Sequence, residues 1–324
     1  MAGGCVIGVD LGGTKLLAGA VDADLDVHHR AYRLAPASDL AAVLDAVASI
    51  VEEARAAAGE VRAVGIGIPS LFDQERGIAV STVHLPIRDV AFRDLMAERV
   101  ALPVFVDNDA NVAMLAEHRF GAARGHRHAL LLTLGTGIGG GIVVDGKLVR
   151  GALGSAGELG HMVIDQDGPR CQGNCPSRGC LEAFASGTAM GRDALRTAHE
   201  YPGSALGRAL QEGRAVTGAL VTELAHDGDP TAVAVVRRAG EYLGIGIASL
   251  VNIFNPSVVV VGGGVIAAGD LLLEPAREVL AQRALSPSKE TARIVPARFG
   301  AESGMLGAAV LALEGASGAE GIGA

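Results

Sequence analysis

VIGVDLGGTKLLAGAV (residues 6–21) and ALLLTLGTGIGGGIVV (residues 129–144) are the two stretches whose reading decides the fold. In the first, the apolar run 6–9 leads to Asp10, turns on Gly12-Gly13-Thr14-Lys15 and resumes as the apolar run 16–21. That pattern reads as strand, glycine-rich turn, strand. The second stretch repeats it, with a strand over Ala129–Leu134, a Gly/Thr turn over 135–141 and a strand over 142–144. Asp145-Gly146 follows, a pair suited to a two-residue hairpin turn. The distance from Gly12 to Gly135 far exceeds the about 20–50 residues of a solenoid repeat, so the pattern reads as a duplicated domain.

Outward from the hairpins, Leu40–Ala58 carries Val43, Val47, Ile50, Val51 and Ala54 at helical spacing. Val61–Ile68 and 103–106 read as strands, and 110–120 as a helix. Further on come a long helix over 232–253, a strand over 257–261, Gly262-Gly263-Gly264, a helix over 271–283 and a last apolar helix over 305–313. The Gly/Ala-rich tail 315–324 reads as frayed. With 324 residues, 49% of them hydrophobic, the chain has room for two α/β domains.

The net charge of −9, with no basic stripe, excludes nucleic acid as the expected partner. The first cation is Lys15, so the N-terminus lacks the basic start of a secretory signal. No apolar run approaches the roughly 18–20 residues that span a bilayer. A cytoplasmic chain without membrane contact is the expectation. Of four cysteines Cys5 stands alone, while Cys171, Cys175 and Cys180 cluster.

Side-chain-free Gly12 and Gly13 let backbone N–H groups approach a polyphosphate, Thr14 adds a hydroxyl, Lys15 a positive charge, and Asp10 stands where a carboxylate holds hydrated Mg²⁺. Gly135, Gly137 and Gly140 match G-x-G-x-x-G, but a strand follows where the dinucleotide fingerprint needs a helix. Two glycine-rich hairpins around one polyphosphate account for both motifs. Asn108-Asp109 closes a strand and opens a helix. There Asp109 serves either as a general base for a hydroxyl or as a plain helix-start residue, with Asp107 available as the cap. Glu158, His161 and Glu182 bring two carboxylates and an imidazole near the cysteine cluster. His161 with Cys171, Cys175 and Cys180 makes a complete Cys₃His set for a structural Zn²⁺.

Asp10–Lys15, Asn108-Asp109, residues 134–141, Glu158-Leu159-Gly160-His161 and Cys175…Gly179-Cys180-Leu181-Glu182 together resemble the ROK family (repressors, open reading frames, kinases), over about residues 6–313. The resemblance implies an actin-like ATPase (ribonuclease H-like) α/β fold, with two α/β domains around a cleft. Residues 1–118 plus 303–324 would form one domain and 119–302, with the zinc loop, the other. It implies an ATP-dependent kinase of a hexose 6-hydroxyl, glucose first, using ATP, Mg²⁺ and structural Zn²⁺ in a homodimer or homotetramer. Asp109 would be the base. Asn108, Glu158, His161 and Glu182 would bind sugar hydroxyls, His161 with one nitrogen on zinc and the other toward sugar. Gly12, Gly13, Thr14, Lys15, Gly135, Thr136, Gly137, Gly139 and Gly140 would hold phosphates, and Gly262-Gly263-Gly264 would lie near the adenosine.

The chain departs from the family pattern twice. Its first clustered cysteine stands two residues earlier than the usual C-x-C spacing, with Pro176 where Gly is usual. In the sugar-side loop Thr82-Val83-His84-Leu85, His84 replaces an amide and is expected to bear on sugar choice. Mannose, fructose or an N-acetylhexosamine are the alternative substrates. A sugar-responsive regulator is the reading from another class; such family members carry a helix-turn-helix before the first hairpin, and here five residues precede Val6.

Overall fold

The computed structural model describes residues 4–36, 38–82 and 85–320. The chain divides into two compact units, one of Met1–Arg124, Leu148–Gly157 and Ala301–Ala324, the other of Gly125–Lys147 and Glu158–Gly300.

The first unit runs β1 (Cys5–Leu11), β2 (Lys15–Val21), β3 (Val27–Leu34), α1 (Leu40–Ala58), β4 (Val61–Ile68), β5 (Leu71–Asp73), β6 (Ile78–Ser81), β7 (Arg88–Val90), α2 (Phe92–Val100), β8 (Val104–Asn108) and α3 (Asp109–Arg119). Its main sheet has the order β3-β2-β1-β4-β8. The first three strands pair antiparallel, and β1, β4 and β8 run parallel. The central strands are near-continuous apolar runs because both faces are covered. Ile7, Val9, Leu11, Ile66 and Ile68 are fully buried. Helix α1 starts where the Asp39 carboxylate accepts from the Ala42 N–H at 2.8 Å, and it buries the predicted stripe from Val43 to Ala54.

The second unit runs β9 (Ala129–Leu134), β10 (Ile138–Val144), β11 (Lys147–Leu148), α4 (Glu182–Ala185), α5 (Gly187–Glu200), α6 (Ala205–Gln211), α7 (Gly218–His226), α8 (Pro230–Phe254), β12 (Val258–Gly262), α9 (Asp270–Arg283), α10 (Ser288–Thr291) and β13 (Arg293–Pro296). Its sheet order, β11-β10-β9-β12-β13, repeats the first sheet position by position. The paired hairpins read from the sequence are therefore the β1–β2 and β9–β10 turns of two equivalent sheets. Asp145 and Gly146 both have left-handed φ values, 52° and 76°, as a two-residue hairpin turn with that twist requires.

The last helix, α11 (Ser303–Glu320), packs on β1, β4 and α3. It approaches so closely that a Cβ on Gly8 would overlap the Met305 carbonyl, and one on Gly65 the Ala308 carbonyl. Backbone lies on backbone here, which only glycine permits. Two expectations change. The glycine-rich residues 138–141 belong to strand β10, because the ladder with β9 already starts at Ile138 opposite Leu134. The tail is helical through Glu320, since α11 continues well past the expected end at 313. Among the described residues, no helix is long and apolar enough to cross a membrane.

Candidate active site

In the first unit, sheet register sets one row at the C-terminal ends of the parallel strands. Asp10 on β1 faces Gly67 on β4, and Gly67 faces Asp107 on β8. Ligands of open α/β sheets sit at such ends. In the hairpin after Asp10, the Gly12 N–H donates to the Lys15 carbonyl at 2.8 Å, and the Ala35 N–H donates to the Thr14 carbonyl at 3.0 Å. Neither the Gly13 nor the Thr14 N–H has an acceptor among the described residues. The Asp10 carboxyl packs against Gly304 at the start of α11. Burial pushes it up to about 6, against the pull of Lys15. No hydrogen-bond donor among the described residues meets it, so a cation beside Asp10 would relieve its burial.

Asn108, not Asp107, caps α3: its Oδ1 accepts from the Ala110 and Asn111 N–H groups at 2.9 and 3.2 Å. Its Nδ2 donates to the Ser70 carbonyl at 3.3 Å. Asp109 is the first helical residue, and its Oδ1 also accepts from the Ala110 N–H, at 2.8 Å. A helix N-terminus supports that carboxylate's negative charge. Asp107 has a different task. Fully buried, it accepts from the Asn108 N–H at 2.8 Å, from Asn111 Nδ2 at 3.0 Å and from Arg150 Nε at 2.7 Å.

In the second unit every peptide of the β9–β10 turn is tied. The Gly135 carbonyl accepts from the Gly187 N–H at 2.8 Å, and the Gly137 carbonyl from the Gly135 N–H at 2.9 Å. The Thr136 carbonyl accepts from Gln172 Nε2 at 2.7 Å, and the Ile138 N–H donates to Glu182 Oε2 at 2.8 Å. The Thr136 and Gly137 N–H groups have no acceptor among the described residues. Two tethered, unanswered donors on a rigid loop suit a phosphate oxygen. Gly139 and Gly140 lie in the β10 ladder, opposite Thr133 and Leu132. Gly262, Gly263 and Gly264 stand beside the turn: Gly262 pairs with Thr133, and a Cβ on Gly263 would overlap the Leu134 carbonyl.

His161, Cys171, Cys175 and Cys180 converge, their ligand atoms all within 4.8 Å of one another. The Cys175 and Cys180 sulfurs are 3.9 Å apart, and Cys171 Sγ is 3.5 Å from His161 Nδ1. Tetrahedral zinc with bonds of about 2.3 Å to sulfur and 2.0–2.1 Å to nitrogen has edges of about 3.8 and 3.6 Å. The set therefore fits the ion, and Cys171 joins it despite its displaced position in the sequence. Burial, chiefly, holds the Cys171 and Cys180 thiols above their ordinary range, so zinc would displace their protons on binding.

The other ring nitrogen, His161 Nε2, lies 3.7 Å from Glu158 Oε2. Partial burial raises Glu158 above the usual carboxylate range, Glu182 adds to the rise, and His161 opposes it. Glu158, His161 and Glu182 thus gather round the zinc loop as the motif implied. Glu182, however, commits one oxygen to the β10 backbone. His84 lies outside the described residues. Sequence reasoning missed Arg150, Gln172, Ser186 and Gly187. The Ser186 side chain caps α5, accepting from the Ala189 N–H at 3.1 Å, and so presents the Gly187 N–H to the turn. The string Ser186-Gly187 before an apolar helix was a legible cap signal. Nothing local marked Arg150 or Gln172.

The model of the ROK family matches residues 6–315. The glucokinase of Streptomyces coelicolor is 38% identical over 317 residues, covering 96% of this chain and 98% of that protein. The glucokinase of Thermotoga maritima is 36% identical over 311 residues, covering 95% and 97%. A crystal structure of a ROK family glucokinase from Streptomyces griseus, in complex with glucose and AMPPNP, superposes with a TM-score of 0.86 at 37% identity, covering 96% of this chain and 100% of that one. The two sheets of like order are accordingly those of the actin-like ATPase fold. Matched along nearly its whole length by family model, sequence and structure, the chain belongs to the ROK family.

Proposed function

We propose that this chain is an ATP-dependent glucokinase, transferring the γ-phosphoryl group of ATP to the 6-hydroxyl of glucose. The observation that carries the reading is full-length likeness, at 36–38% identity, to glucokinases, one of them seen with glucose and a nucleotide analogue. Phosphoryl transfer needs mainly positioning and charge stabilisation, and the groups described above are of the kinds that provide them.

As the sugar O6–phosphorus bond forms and the bond from γ-phosphorus to the β-bridging oxygen breaks, the hydroxyl proton goes to the Asp109 carboxylate and ADP leaves. Asn108, by capping α3, holds the backbone at Asp109 in place. Thr136 and Gly137 in one unit, and Gly13 and Thr14 in the other, offer N–H groups to phosphate oxygens. Asp10 is the residue that would hold Mg²⁺, whose charge neutralises the phosphates when bound. Glu158 offers two acceptor oxygens to sugar hydroxyls, and His161 Nε2, which carries the ring proton when Nδ1 holds zinc, offers a donor. His161, Cys171, Cys175 and Cys180 would hold Zn²⁺, which serves to close the loop. An assay of ADP release against a panel of hexoses tests the reading. Glucose should support turnover and yield glucose 6-phosphate; no glucose-dependent ADP release would refute it.

A further inference from the structure

The β9–β10 turn owes its N–H directions to residues outside it. A peptide group is planar, with its C=O and the next N–H pointing oppositely. Anchoring the Thr136 carbonyl therefore aims the Gly137 N–H, just as the Gly187–Gly135 bond aims the Thr136 N–H. The anchor on Thr136 is Gln172, the residue directly after Cys171 in the zinc loop. Its Nε2 makes the 2.7 Å bond to Thr136 and lies 3.5 Å from Ser186 Oγ, in the N-cap of α5. Glu182, two residues after Cys180, fixes the adjoining peptide through the Ile138 N–H. Its Oε1 is 3.5 Å from Cys171 Sγ. One short segment thus supplies metal ligands and both side-chain tethers of the turn.

We propose that Gln172 is a positioning residue for the nucleotide: through the Thr136 carbonyl it aims the Gly137 N–H at a phosphate oxygen, and it ties the zinc loop to the ATP-side turn. The inference rests on the kinase reading and adds a residue that touches neither sugar nor metal. Without Gln172 the Thr136–Gly137 peptide is freer to rotate about Thr136 ψ and the unhindered Gly137 φ, and the donor is lost for part of the time. One net hydrogen bond is worth about 1 kcal/mol, or about fivefold in affinity.

The test uses the zinc-loaded full chain and two variants, Gln172→Ala and Gln172→Glu. The second keeps the side chain's shape but replaces the donor by an acceptor facing the Thr136 carbonyl. Calorimetric titration with AMPPNP and Mg²⁺, and separately with glucose, gives the affinities, and elemental analysis gives the metal content. Expected for Gln172→Ala are a Kd for AMPPNP raised about fivefold, a KM for ATP raised in step, glucose affinity within twofold of wild type and zinc retained. Gln172→Glu should be as weak or weaker for the nucleotide. Wild-type nucleotide affinity in both variants would overturn the proposal. So would equal losses of glucose and nucleotide affinity, which would mark general damage to the loop. If the wild-type chain itself bound no AMPPNP, the kinase reading would fall and this inference with it.

Discussion

Replacing Arg150 by Met tests whether the strand end that carries Asn108 and the proposed base Asp109 is held by a buried charge. The Asp107 side chain is 1% exposed and that of Arg150 32%, with 2.7 Å between Oδ2 and Nε. Removing one partner of a buried pair costs about 3–5 kcal/mol, because the other is left charged and dry. Two neutral donors, the Asn108 N–H and Asn111 Nδ2, stay on Asp107, and Arg150 is partly wet. The lower end, about 3 kcal/mol, is therefore expected. For a unit of this size that is a fall in Tm of about 6–12 °C, at roughly 2–4 °C per kcal/mol. Asp107 directly precedes Asn108-Asp109, so the loss should also reach turnover. Misplacement by about 1 Å costs on the order of a hundredfold, and at least a tenfold drop in kcat is expected. Calorimetry and steady-state kinetics on Arg150→Met, Asp107→Asn and the double variant form a cycle. The double variant should recover much of the stability, since its buried group is neutral. A Tm within about 2 °C of wild type for Arg150→Met, with kcat within twofold, would refute the reasoning.

Asp109→Asn should lower kcat by at least about a hundredfold with the fold intact, the usual scale for a lost general base; near-normal turnover removes Asp109 from that role. Elemental analysis should find about one zinc per chain, and Cys171→Ser should weaken its retention against a chelator; unchanged retention would mean that another group completes the site. Asp10, at about 6 when folded against about 3.9 unfolded, keeps a proton between pH 4 and 6 that the unfolded chain has released. Stability should therefore fall as pH rises through that window and level off above it. Asp10→Asn removes this slope, and should gain on the order of 2 kcal/mol over wild type from pH 4 to pH 7 while losing Mg²⁺-dependent nucleotide binding. A stability difference that does not vary with pH would show that burial does not govern Asp10.

Elements whose punctuation and period are local were legible residue by residue. Helix α1 and strands β4 and β9 run as read, bounded by Asp39, Gly59 and apolar runs that admit one period only. The glycine-rich turns and the Asp145-Gly146 hairpin belong to the same class, and with the Glu-x-x-His and cysteine motifs they carry the family pattern in the sequence itself. Strand β3 was not legible. It is an edge strand in which His28, Arg30, Tyr32 and Leu34 are exposed and only Ala31 is buried, so its own residues show no apolar alternation and pairing with β2 creates it. Likewise α11 reaches Glu320 through a tail whose Gly315 and Gly318 lower its helix propensity, and the close approach of its earlier turns to Gly8 and Gly65 is what seats the helix. Within the site, the sequence by itself determined which chemical groups are present: Asp10, Asp109, the two turns and the Cys₃His set. Tertiary structure alone decided how they are held. It made Asn108 the cap and left Asp107 to Arg150, drew Cys171 into the metal set across an altered spacing, and set Gln172 against Thr136. The physical reason is range. Hydrophobic period and capping act within one or two turns of chain, whereas a buried carboxylate or a loop carbonyl finds its partner wherever sheet register and loop path bring a donor within about 3 Å.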